Sequence, residues 1–153
     1  MSEWQEFNAK PIEILLVEDN PGDIRLIQEA FREEKIINKM QIVNDGEEAV
    51  DYIFGRGSHV GRVLPDLVIL DLNLPKKDGR EVLREVKNDE KMKMIPVIIL
   101  TSSRAEEDIV KSYMSHANCY IAKPTDFEKF TDVVKRIENF WFTVVSLPPT
   151  MKG

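Results

Sequence analysis

Five residues stand out by type and spacing, each placed directly after an apolar run of strand length. Glu18 and Asp19 follow Ile12–Val17, Asp71 follows Leu67–Leu70, Thr101 follows Pro96–Leu100, and Lys123 follows Cys119–Ala122. If these runs are parallel strands, their carboxyl ends open on one crevice, where such sheets bind their ligands. Three carboxylates in a partly dehydrated pocket repel one another, and at least one pKa rises unless a cation relieves them. Mg²⁺, which combines one or two carboxylates with waters and phosphate oxygens, is the expected cofactor. A carboxylate beside such an ion can attack phosphorus and form an acyl phosphate. Asp71 is the best placed nucleophile, with Lys123 and the Thr101 hydroxyl sharing the charge of the phosphoryl oxygens. This chemistry needs no histidine base, and His59 and His116 both fall outside the strand ends. Asp45, Asp78 and Asp126, as isolated acids, read as helix caps or solvated turns.

The elements that must position these groups follow from the hydrophobic pattern. Strand-length apolar runs alternate with stretches of helical spacing, the mark of repeated βα units and a mainly parallel sheet. Ile12–Val17 is the first strand, followed by a helix with Ile24, Ile27, Ala30 and Phe31 on one face. Met40–Val43 is a short second strand, closed by the turn signal Asn44-Asp45-Gly46 before a helix holding Ala49, Val50, Ile53 and Phe54. Gly55–Gly61 reads as a loop. The third and fourth runs are apolar at consecutive positions, as central strands covered on both faces should be. Val82, Leu83 and Val86 mark the helix between them; another is expected near Glu106–Met114, and Cys119–Ala122 is the fifth strand. The last helix, over about Asp126–Phe142, carries Phe127, Phe130, Val133, Val134, Ile137, Phe140 and Trp141 at helical intervals.

Composition narrows the function classes. A chain of 153 residues suits one domain with one core. A formal charge of −6, without a basic stripe, argues against direct nucleic-acid binding. The amino terminus lacks the basic and apolar regions of a signal peptide, and no apolar run is long enough to span a membrane, so a cytoplasmic protein is expected. Cys119 is the single cysteine, which leaves no internal disulfide and suggests an inert, buried thiol.

Taken together, the acid pair in Val17-Glu-Asp-Asn20, the segment Asp71-Leu-Asn-Leu-Pro75, Asp78-Gly79, Thr101 and Lys123-Pro124 resemble the receiver domain of bacterial response regulators. The resemblance spans nearly the whole chain. It implies a doubly wound, flavodoxin-like α/β fold with a five-stranded parallel sheet in the order 2-1-3-4-5. Residues 1–11 would form an N-terminal arm, 12–142 the receiver domain and 143–153 a C-terminal tail. Residue by residue, the resemblance implies that Asp71 is phosphorylated, that Asp19 and Asp71 bind Mg²⁺ directly, and that Glu18 does so through water. Asn73 would add its backbone carbonyl. Thr101 and Lys123 would contact the phosphoryl oxygens, and Tyr120 falls at the aromatic switch position. Glu18 replaces the commoner Asp, keeping the charge on a longer arm. Asp71–Leu83, Asn118-Cys-Tyr120 and the stretch from Ile137 to Pro148 are similar to the phytochrome-associated single-domain regulators. That likeness implies a sensor histidine kinase, of phytochrome type, as phosphodonor.

The chain shows no output domain after the receiver pattern, so the expected output is a changed protein-binding face or a homodimer. In the family-like switch, Thr101 swings to the phosphoryl group and Tyr120 fills the space released. This repacks the surface made by the helix near Glu106–Met114, the fifth strand and the last helix. Trp141, Phe142, Val144, Val145 and Leu147 continue the apolar character, either as an interface or as internal packing; Trp4 and Phe7 carry the same ambiguity. A phosphatase of the haloacid dehalogenase type also uses an Asp nucleophile with Mg²⁺, but here Asn73 stands where that family has its second Asp. The Gly55-Arg-Gly57 and Gly61 spacing breaks the dinucleotide fingerprint. A receiver reduced to a binding module would not need the full acid, hydroxyl and lysine set.

Overall fold

The structure is a computed structural model and describes residues 11–101, 118–123 and 127–146. The elements run β1 (Ile12–Val17), α1 (Pro21–Glu33), β2 (Asn38–Val43), α2 (Gly46–Phe54), β3 (Leu67–Asp71), α3 (Gly79–Lys87), β4 (Val97–Thr101), β5 (Asn118–Ala122) and α4 (Phe127–Ser146). All five strands pair in parallel, in the order β2-β1-β3-β4-β5 that the resemblance implies. The expected helix near Glu106–Met114 lies outside the described residues, as do Trp4, Phe7, His116, Asp126 and Leu147.

Alternation along each strand divides the core into two layers. Ile12, Ile14, Leu16, Leu67, Ile69, Ile98, Leu100 and Ile121 face one side, where Ile27, Ala30 and Phe31 of α1 and Phe130, Val133, Val134 and Ile137 of α4 cover them. Leu15, Val17, Val68, Leu70, Val97 and Ile99 face the other, under Ala49, Val50 and Ile53 of α2 and Val82, Leu83 and Val86 of α3. Burying a side chain such as Phe31 or Phe130 contributes roughly 1.5–3 kcal/mol. Cys119 is half-buried against the first layer.

Each of the first three helices starts on a side-chain cap. Asn20 accepts from the Asp23 N–H at 3.1 Å, Asp45 from the Glu48 N–H at 2.8 Å, and Asp78 from the Arg80 N–H at 2.7 Å. Asp45 and Asp78 are therefore caps, as their isolated positions suggest. Two glycines allow the loop after β3 to close tightly. A Cβ on Gly79 would lie 2.5 Å from the Asp71 carbonyl oxygen, and one on Gly46 would overlap that of Lys77.

Two boundaries differ from expectation. β2 begins at Asn38 rather than Met40, because its polar first residues pair with Ile12 and Glu13. α4 continues to Ser146, four residues beyond Phe142. Among the described residues, no helix is long and apolar enough to cross a membrane.

Candidate functional site

Sheet register assembles the site. Val17 pairs with Leu70, so the next residues, Glu18 and Asp71, emerge side by side where strand order reverses about β1. Leu70 pairs with Ile99 and Leu100 with Ile121, which carries Thr101 and Lys123 to the same end of the sheet.

Both central acids are buried: Glu18 is 0% exposed and Asp71 3%. Their lone pairs are assigned locally. Glu18 Oε2 accepts from the N–H groups of Asp19 and Asn20 at 3.1 and 3.2 Å, and Asp71 Oδ1 accepts from the Asn73 N–H at 3.0 Å. Between the two acids stands the Lys123 ammonium, with Nζ 2.7 Å from Asp71 Oδ2, 2.8 Å from Glu18 Oε1 and 2.9 Å from Asp23 Oδ2.

The electrostatics follow from this crowding. Burial, opposed by the neighbouring Lys123 ammonium and reinforced by Asp71, pushes the Glu18 carboxyl up to about 7. Burial also pulls the Lys123 ammonium down, but its close contacts with Asp71, Glu18 and Asp23 prevail and hold it above the usual lysine range. The lysine stays charged and one neighbouring acid is poised to take a proton.

One carboxylate oxygen from each of Glu18, Asp19 and Asp71 falls within 4.8 Å of the others. Glu18 Oε1 is buried and, among the described residues, takes no completed hydrogen bond; its contact with Lys123 is an ion pair only. An all-oxygen, anionic set with an unsatisfied buried oxygen suits Mg²⁺.

The sequence-predicted residues Glu18, Asp19, Asp71 and Lys123 are thus brought together, and Asn73 joins them through its backbone. Thr101 closes β4 opposite Ala122, its side chain lying outside what the structure describes. Tyr120 sits on β5 opposite Ile99, half-buried against the second layer. His59 lies away from the site, edge-on to Tyr52 and 3.6 Å from Glu48. Two participants were not foreseen. Asp23, in the first turn of α1, is the third carboxylate on Lys123, and the Asn44 amide donates to the Glu18 carbonyl at 3.1 Å. A hint for Asn44 was its place just past β2, at the same end of the sheet.

Comparison with known proteins agrees with this geometry. The chain is 44% identical over 138 residues to the response regulator Rcp1 of Synechocystis, covering 90% of this chain and 94% of that one. Its fold matches the phosphorylated cyanobacterial phytochrome response regulator RcpA with a TM-score of 0.80 at 47% identity, covering 91% and 99% of the two chains. The Mn²⁺-bound form of Rcp1 matches with a TM-score of 0.79 at 43% identity, covering 90% and 99%. Residues 14–135 match the response regulator receiver domain, and the chain belongs to that family.

Proposed function

We propose that the protein is a phosphorylation switch in which Asp71 accepts a phosphoryl group from the phosphohistidine of a sensor histidine kinase. The carrying observation is the buried Asp71 carboxylate, held at Oδ1 by a backbone N–H and at Oδ2 by an ammonium 2.7 Å away. Residues 12–142 are taken as the receiver, 1–11 as an arm and 143–153 as a tail. The similarity to RcpA supports a phytochrome-type kinase.

Glu18, Asp19, Asp71 and the Asn73 carbonyl are the groups that would hold Mg²⁺, which when bound neutralises phosphoryl oxygens and carboxylates together. In the transfer, an Asp71 oxygen forms the O–P bond as the P–N bond of phosphohistidine breaks, its electron pair leaving with the imidazole nitrogen. Lys123 offers its N–H groups to the phosphoryl oxygens, and Thr101 its hydroxyl. The protein thereby assists its own phosphorylation and dephosphorylation, without a separate substrate to turn over.

Thr101 and Tyr120 carry the signal outward to the face of β5 and α4. Reversing a two-state equilibrium from about 1:99 to 99:1 requires roughly 5.5 kcal/mol, within reach of a few charge-assisted contacts. The output we favour is a homodimer or a changed protein-binding face in the cytoplasm, without direct nucleic-acid contact. The apolar residues Phe142, Val144 and Val145 on the final turns of α4 support this reading.

Intact mass after incubation with Mg²⁺ and a small phosphodonor tests the proposal, with light scattering on the same samples. A Mg²⁺-dependent phosphoryl adduct that is lost in Asp71→Asn, with a larger particle on phosphorylation, is expected. No adduct from either small donors or candidate kinases would leave a phosphate-independent binding module as the better account.

A further inference from the structure

Among the described residues, three carboxylates touch the Lys123 ammonium, and two of them belong to the metal-suited cluster. Glu18 and Asp71 are members with Asp19, whereas Asp23 stands outside it. Any cation held by the cluster shares the charge of Glu18 and Asp71, and Asp23 is then the anion left wholly to Lys123.

The local geometry of α1 also sets Asp23 apart. Asn20 caps the helix, and Asp23 is its third residue, the position whose acid commonly reaches back to the cap N–H in a reciprocal capping box. Here the Asn20 N–H donates instead to Glu18 Oε2 at 3.2 Å. Asp23 gives its backbone N–H to Asn20 Oδ1 and directs its carboxylate to Lys123 Nζ, a residue 100 positions away. The helix is capped without the Asp23 side chain.

We infer that Asp23 is a positioning residue that anchors the Lys123 ammonium beside Asp71, so that the lysine can exchange its Asp71 contact for a phosphoryl oxygen without losing its place. The inference rests on the phosphoacceptor reading and deepens it. Its sign is distinctive. If Asp23 acted only as a nearby negative charge, removing it would favour an incoming phosphoryl group, because like charges repel. As an anchor, its removal releases the ammonium and disfavours that group, and a displacement of about 1 Å at such a site costs up to roughly 100-fold.

Asp23→Asn retains the shape of the side chain and leaves the helix cap intact. We expect Asp23→Asn to be phosphorylated at Asp71 by acetyl phosphate with Mg²⁺ about tenfold more slowly than wild type, with Asp23→Glu recovering part of the rate. Calorimetric affinity for beryllofluoride, a phosphoryl mimic, should weaken in Asp23→Asn, yet change little when Asp23→Asn is added to Lys123→Ala. An effect confined to helix stability would be the same in both backgrounds and would overturn the inference. So would unchanged or faster phosphorylation of Asp23→Asn. Absence of an adduct on wild type would instead remove the phosphoacceptor reading, and the anchor with it.

Discussion

Lys123 Nζ and Asp71 Oδ2 stand 2.7 Å apart although 52 positions separate them in sequence, because β3 and β5 flank β4 and end on the same crevice. Lys123 reaches three carboxylates at once, so both the stability of the metal-free site and its chemistry depend on this side chain. The ion pair is mostly withdrawn from solvent, with side-chain exposures of 14% and 4%. Desolvation makes each partner costly to leave alone.

Lys123→Ala is therefore expected to destabilise the metal-free protein by roughly 3 kcal/mol at pH 8, since it leaves Asp71 and Glu18 as buried neighbouring anions. Urea unfolding in the presence of a chelator measures this directly. A midpoint equal to wild type would mean that the ammonium contributes no net stability.

Glu18 sets a pH dependence with a definite sign. Its folded pKa of about 7 lies above the ordinary value of 4.5, so the folded state binds more protons between these limits. Its contribution to stability is complete below pH 4.5 and declines as pH rises through 7. In chelator, wild type should lose about 3 kcal/mol relative to Glu18→Gln over that window. Parallel stability curves for the two proteins would contradict the burial-driven shift.

Mg²⁺ should act in the opposite sense, because it binds the ionised carboxylates. At a hundredfold excess over its dissociation constant, a ligand of the folded state alone stabilises by about 2.7 kcal/mol. Thermal unfolding of wild type at pH 8 should shift upward with Mg²⁺, and the shift should shrink markedly in Asp19→Asn. Asp19 is the exposed member of the cluster, so its substitution tests metal binding with little disturbance of the core. An equal shift in both proteins would point to a cation site elsewhere.

Much of this site was legible because parallel strands send their C-terminal neighbours to one place. Glu18, Asp71 and Lys123 each directly follow an apolar run of strand length or close it, and parallel pairing of those strands carries all three to one end of the sheet. Asp23 was hidden because an acid in the first turn of a helix has an ordinary explanation in capping and the helix dipole. The contact with Lys123 at 2.9 Å shows that its carboxylate is committed elsewhere, and the diversion of the Asn20 N–H to Glu18 agrees with it. The start of β2 was missed for a related reason. Asn38 and Lys39 lack strand character, and their pairing with β1 overrides that local preference.

Gly79 connects packing to chemistry. Its Cα faces the backbone that follows Asp71, and an added Cβ would meet the Asp71 carbonyl oxygen at 2.5 Å and the Leu72 Cα at 2.6 Å. Neither atom belongs to a flexible side chain, so the backbone of the phosphoacceptor itself must shift. Gly79→Ala is expected to cost about 2 kcal/mol by overpacking and to slow phosphorylation of Asp71. Gly57 provides the contrast, with a φ of +58° but nothing among the described residues within 4 Å of an added Cβ. Gly57→Ala should cost only about 1 kcal/mol of backbone strain and leave the phosphorylation rate unchanged. Chemical denaturation and adduct formation measured on both variants separate the two effects. If Gly79→Ala were destabilised yet phosphorylated at the wild-type rate, the close approach of α3 would serve packing alone and not the placement of Asp71.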